Sequence, residues 1–302
     1  MVPKGKFLAF SSLVAGALAW GLIWYPFRFL ERAGLDGSFA TLVTYGFALA
    51  LGTAVFGRLP RRRPTLVLVA IAATAGWTNL AYVLAVIHGD VVRVMLLFFL
   101  APLWTIVFAR LLLGEHLRPV GGVVIALSVA GAAVMLWQPA KGAPFPGSSA
   151  EWLGLSSGVA FALSNVLARR AHEHSVIGKS FAVWIGVTLV CLAYGAARDG
   201  FVPDLAGISG DAWLVAALTG LVLFAVNPVV QHGLAHTSAN QAIVVMLSEL
   251  VFAAVSAWFL AGESVGPREW LGGGMIVAAA LFSGHLAEDS PREEGRYPRT
   301  LA

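Results

Sequence analysis

The sequence predicts an all-α polytopic membrane protein: ten transmembrane helices as two inverted five-helix repeats, with both termini cytoplasmic. Three observations predict it. The 302 residues are 58% hydrophobic and only 12% charged, with a mean hydropathy of +0.80, whereas a soluble domain carries about 25% charged residues. The apolar residues form continuous runs that suit spanning helices of roughly 20 residues, not alternating barrel strands of about 10. The chain also repeats itself: Asn79, His88, Gly114, Glu115 and Pro119 recur at one constant offset as Asn227, His236, Gly262, Glu263 and Pro267, the mark of a duplicated unit.

The first five runs are 7–27, 39–57, 65–87, 91–113 and 119–137. The second five are 152–168, 180–197, 212–231, 239–261 and 270–287. The first run follows Lys4 and Lys6 but is longer than a signal-peptide core and precedes further spans, so it reads as an uncleaved helix. The units are then a first repeat (1–138), a linker (139–151), a second repeat (152–287) and a polar cytoplasmic tail (288–302). Pro139, Pro144 and Pro146 break helix propensity in the linker. Five crossings per unit is an odd number, so the second copy enters the bilayer from the opposite face.

Lys and Arg in short loops orient such a chain. A cytoplasmic N-terminus places Lys4, Lys6, Arg58, Arg61 to Arg63, Arg110, Arg118, Arg169, Arg170, Lys179 and the tail arginines inside. It leaves the fewer Arg28, Arg32, Arg93, Lys141, Arg198 and Arg268 outside. The sequence pI of about 9.5 follows from this asymmetry, and Arg61 to Arg63 on a short loop is a topology signal, so no nucleic-acid partner is expected. Cys191 is the one cysteine and admits no intrachain disulfide. Inverted repeats building a site near the midplane are the architecture of secondary transporters.

With the two halves aligned, the ten-helix plan, Trp20–Gly21, Pro102 and Leu113–Gly114–Glu115 with its copy Ala261–Gly262–Glu263 resemble the drug/metabolite transporter superfamily, EamA type. The resemblance covers essentially the whole chain, and within the family it is strongest to bacterial exporters of aromatic amino acids. It implies a central cavity between helices one to four and six to nine, with helices five and ten outside. Gly121, Gly122, Gly131 and Gly272 to Gly274 permit close packing of those outer helices. The chain departs from the family where many relatives carry an Arg in the second helix, since Thr44–Tyr45–Gly46 stands there, and Leu250 replaces the second copy of Pro102. A strongly anionic substrate is thereby disfavoured.

Polar groups inside a bilayer usually face a cavity or another helix. The substrate-binding candidates are Trp20, Tyr45, Asn79, Tyr82, Phe99, Asn165 and Glu249. Asn79 and Tyr82 share a helix face at i and i+3 and offer an amide and a phenol to a zwitterion; an interhelical hydrogen bond is the competing reading. Glu249 is the one carboxylate deep inside a span and the candidate proton site, able to exchange a proton or to hold an amino group. Trp20 and Phe99 gain weight from the resemblance, which puts their helices on the cavity, whereas Trp137, Trp152, Trp213 and Trp270 sit at helix ends as interfacial anchors. Asn227 precedes Pro228 and reads as local repair of a kinked helix. Pro26, Pro102 and Pro228 are candidate hinges. Gly114 and Gly262 end one helix while Glu115 and Glu263 favour the positive end of the next, from Pro119 or Pro267, a structural role.

Enzyme motifs fail. Gly178–Lys179–Ser180 lacks the first glycine of a phosphate-binding loop, where Glu173 stands, so no ATP is used; Gly207–Ile208–Ser209–Gly210 lies in a polar loop; His172–Glu173–His174 lacks metal-ligand spacing. The expectation is a carrier of the bacterial inner membrane that exports amino acids, aromatic or apolar, and related metabolites by alternating access. It needs no metal or cofactor, its partners are a small-molecule substrate and the lipid bilayer, and a monomer suffices. A cationic-drug exporter, with Glu249 as counter-charge, is the alternative within the class; an intramembrane enzyme centred on Ser209 or a non-transporting scaffold is the alternative outside it.

Overall fold

The structure, a computed structural model, describes residues 4–57, 65–89, 91–117, 119–136, 145–198, 200–262 and 266–283. Arg58, Arg61 to Arg63, Arg118, Trp137, linker residues 139–144, Glu263 and the tail 288–302 lie outside the described residues. The helices are α1 (Lys4–Leu22), α2 (Trp24–Arg32), α3 (Gly37–Phe56), α4 (Leu66–His88), α5 (Val91–Phe98), α6 (Ala101–Leu113) and α7 (Pro119–Leu136). The chain continues with α8 (Ser149–Arg170), α9 (Val176–Ala196), α10 (Gly210–His236), α11 (Ala239–Met246), α12 (Glu249–Ala261) and α13 (Pro267–Phe282).

Eight helical stretches among the described residues are long and apolar enough to cross a membrane, so this is a polytopic membrane protein. Two expected spans fall outside those eight. α13 is only 16 residues long, and α8 carries Glu151, Ser156, Ser157, Ser164, Asn165, Arg169 and Arg170. The polarity of α8 has a packing reason: it lies against α4, α5, α6, α10 and α11, so protein, not lipid, surrounds it.

The duplication is visible in helix boundaries. Val91–Phe98, the break and Ala101–Leu113 return 148 positions later as Ala239–Met246, a break and Glu249–Ala261, and Pro119 and Pro267 each open the next helix. Both α6 and α12 end on a left-handed glycine, Gly114 at φ 68° and Gly262 at φ 67°, a conformation costly for residues with a Cβ.

Each broken span has a local cause. Pro26 lacks the N–H that would bind the Leu22 carbonyl, and the ladder is interrupted between α1 and α2; Pro102 does the same for Phe98 between α5 and α6. The second copy breaks without proline. There the chain tightens into i to i−3 bonds, with Ser248 N donating to Val245 O, Leu250 N to Leu247 O and Val251 N to Ser248 O, while Ser248 Oγ donates to Val245 O at 2.7 Å. The loss of proline at Leu250 has therefore not removed the break. Pro228, by contrast, sits inside an unbroken 27-residue α10, so the interruption expected there is not present.

The halves interleave. α1 packs on α10, α11 and α12, α3 on α9 and α10, and α4 on α8 and α9. The largest buried cluster accordingly mixes Leu13, Tyr45 and Ile71 with Trp184, Leu223 and Met246. α7 and α13 pack chiefly on each other, and their crossing is set by glycine: a Cβ on Gly131 would lie 2.7 Å from Gly272 O, and one on Gly272 2.4 Å from Gly131 O. Gly122 and Gly274 face open space and take no part in it.

Candidate functional site

The breaks at α5–α6 and α11–α12 position the candidate residues. Glu249 is the first residue of α12, where the positive end of the helix dipole favours a carboxylate. Its side chain is half-buried and accepts no hydrogen bond from any other described residue. α1 crosses over it closely: a Cβ on Gly21 would lie 2.7 Å from Glu249 O and 2.6 Å from Phe252 Cβ. Trp20, the neighbour of Gly21, packs at the edge of the cluster that holds Tyr45 and Met246.

Tyr82 on α4 is near enough for its hydroxyl to interact electrostatically with Glu249. Its ring rests on Phe98 at 5.1 Å, and Phe98 contacts Phe99 at 5.1 Å, edge to face, and Phe161 of α8 at 5.3 Å. Tyr82, Phe98, Phe99, Leu247 and Leu250 belong to one cluster. A carboxyl, a phenol and an aromatic wall thus meet where two helices begin.

Asn79 is differently employed. Tyr45 Oη donates to Asn79 Oδ1 at 3.0 Å, and Asn79 Nδ2 donates to Ala75 O at 2.9 Å. Both polar atoms of Asn79 are engaged within the protein, and Tyr45 is 2% exposed. Asn165 is one helical turn from Phe161 on α8, buried, with Nδ2 unpartnered among the described residues.

Three features were missed from sequence. Phe98 and Phe161 form the aromatic wall, but an aromatic inside an apolar run looks the same whether it faces lipid, core or cavity. Beside Pro228 the structure leaves acceptors without partners: Asn227 Oδ1 is buried and unpartnered among the described residues, as is Oε1 of Gln231 one turn on. Glu115 does not serve α7. It reaches across to the other half and accepts from Ala239 N at 3.2 and 3.1 Å and from Asn240 Nδ2 at 3.4 Å, with Arg169 Nε at 4.0 Å. Burial pushes its carboxyl above the usual range, opposed by the Ala239 N–H and then by Arg169.

The remaining motifs have structural employment. Ser209 Oγ accepts from Ala212 N as the cap of α10, Lys179 is 1% exposed inside α9 with Nζ donating to Ala168 O at 3.1 Å, and His174 Nε2 lies 2.8 Å from Thr65 Oγ1.

The model of the EamA-like transporter family matches residues 7–137 and again residues 148–284. The chain belongs to the EamA-like transporter family. It is similar to an uncharacterized transporter of Pseudomonas aeruginosa, 24% identical over 227 residues that cover 70% of this chain and 73% of that protein. It is also similar to an uncharacterized transporter of Archaeoglobus fulgidus, 27% identical over 227 residues covering 73% and 77%. A solved crystal structure superposes with a TM-score of 0.72 over 94% of this chain and 98% of that one at 16% identity, a likeness of fold. Family and relatives make this a multi-pass membrane transporter, acting on a small-molecule substrate from within the bilayer.

Proposed function

We propose that the chain exports amino acids, aromatic or apolar, and related metabolites across a bacterial inner membrane by alternating access. In this reading residues 1–138 and 152–287 are inverted five-helix halves joined by the linker 139–151, making ten spans with the termini and the 288–302 tail cytoplasmic. The doubled family match and the recurring helix boundaries support the two halves, and the odd span number gives the inversion.

The observation that carries the substrate class is the Glu249 carboxyl, which accepts no hydrogen bond among the described residues and lies near Tyr82, beside Phe98, Phe99 and Trp20. A carboxylate at a helix break complements an ammonium group, and the wall of rings complements an aromatic side chain. Asn165 and Tyr82 offer hydrogen bonds to the substrate carboxylate. Pro26 and Pro102, which coincide with helix breaks, are the hinges; Pro228 is demoted by the continuity of α10. The test is uptake of labelled phenylalanine by proteoliposomes: wild type is expected to transport it and Glu249→Gln to lose about tenfold or more, the equivalent of one charge-assisted hydrogen bond. Undiminished flux in Glu249→Gln would remove the carboxyl from the site.

The same unpartnered carboxyl supports a second reading, export of cationic drugs. Flux of a quaternary ammonium dye with none of phenylalanine selects it.

A further inference from the structure

We infer that Glu115 is the latch that shuts one end of the transport path by binding the N-terminus of α11 in the opposite half. The inference rests on the carrier reading above. Its geometry is independent of the substrate site: the carboxylate of a loop in the first half takes the Ala239 N–H, the Asn240 amide and the Arg169 guanidinium, all from the second half. Arg169 is fixed in turn, its Nη1 donating to the Ala235 carbonyl. Behind the carboxylate, Ala109 of α6, Val166 of α8 and Ala239 of α11 form a small dry cluster, so three helices from two halves converge under one polar tie.

A tie of this composition is suited to opening. Ala239 N is at the first turn of α11, where backbone N–H groups have no intrahelical acceptor. Ser238 Oγ satisfies Gln241 N, and Glu115 satisfies the Ala239 N–H that remains. Ala239 and Asn240 are each 1% exposed in this closed arrangement; once separation of the halves wets this helix end, water takes the place of the carboxylate, whereas an apolar seam has no such alternative partner. The Asn240 Oδ1 beside the tie is buried and unpartnered, so the closed arrangement already leaves an acceptor that opening would hydrate. At the far end of the molecule Arg93 Nε meets Glu151 Oε1 at 2.8 Å and Arg93 Nη2 donates to Phe145 O at 3.0 Å, a second polar tie between the halves. Release at one end with retention at the other is what alternating access requires.

The test needs no substrate. A reporter cysteine replaces Asn165, one turn deeper on α8 than Arg169, in a Cys191→Ala background, and is labelled by a membrane-impermeant maleimide in sealed vesicles of both orientations. A separate cysteine at the exposed His172 marks the latch side. Glu115→Ala is expected to raise reporter labelling from the latch side about tenfold, the scale of one lost charge-assisted bond, with labelling from the other side unchanged or lower, and Glu115→Asp to fall between. Arg169→Gln is carried in parallel and is expected to move labelling the same way. Unchanged labelling in both variants, or an equal rise from both sides, overturns the latch, the second because it reports general loosening. Phenylalanine flux is measured in parallel on chains that keep Asn165, with and without the Glu115 substitution, so failure of the cargo assignment is read separately from failure of the latch.

Discussion

At the scale of single residues, the site divides between groups that hold the helices and groups left for a substrate. Tyr45 and Asn79 satisfy each other, while Tyr82 and Glu249 are within electrostatic reach with no hydrogen bond between them. Removing the buried Tyr45 hydroxyl strands Asn79 Oδ1 and costs about 1–3 kcal/mol, whereas Tyr82→Phe strands no protein partner. Tyr45→Phe is therefore expected to lower the melting temperature of the purified protein while sparing the substrate preference. Tyr82→Phe is expected to leave melting within a degree or so and to cut phenylalanine flux about tenfold if its hydroxyl bears a charge-assisted bond. The reverse pattern would exchange their roles. Sequence named both tyrosines and Asn79 but had no means to pair them, because helix periodicity tells which residues share a face, not which face meets which helix.

At the scale of elements, glycine spacing and helix breaks carry the architecture. The glycines of α7 and α13 look equivalent in sequence, yet a Cβ on Gly131 or Gly272 collides with the opposing backbone, whereas Gly122 and Gly274 have nothing within 4 Å. Gly131→Leu is expected to destabilise by about 1–3 kcal/mol, the usual cost of overpacking, and to lower the melting temperature. Gly274→Leu is expected to be neutral; equal losses would place the α7–α13 crossing elsewhere. Helix existence was legible because each apolar run falls within the roughly 17–25 residues a bilayer crossing takes. The breaks were legible only where proline marked them: Pro26 and Pro102 signalled theirs, Leu247–Ser248 broke on a serine hydroxyl and i to i−3 bonds, and Pro228 was absorbed by α10. The polarity of α8 likewise made sense only once its neighbours were known.

At the scale of the whole molecule, two halves of one plan interlock so that polar ties close both ends and Glu249 lies between them. The duplication was legible from five recurring residues because it is a property of spacing. The partnership of Glu115 with α11 was not, since it joins residues 124 positions apart across the two halves, and local capping by the next helix was the nearer explanation. The central claim is that this assembly carries a zwitterionic aromatic molecule by its amino group. Counterflow tests it most directly: proteoliposomes preloaded with unlabelled phenylalanine, or with 3-phenylpropionate, which lacks the amino group, are given labelled phenylalanine outside. A transient accumulation above equilibrium with phenylalanine inside, and none with 3-phenylpropionate, is the expected result. No accumulation with phenylalanine inside, or equal accumulation with both, would contradict the account.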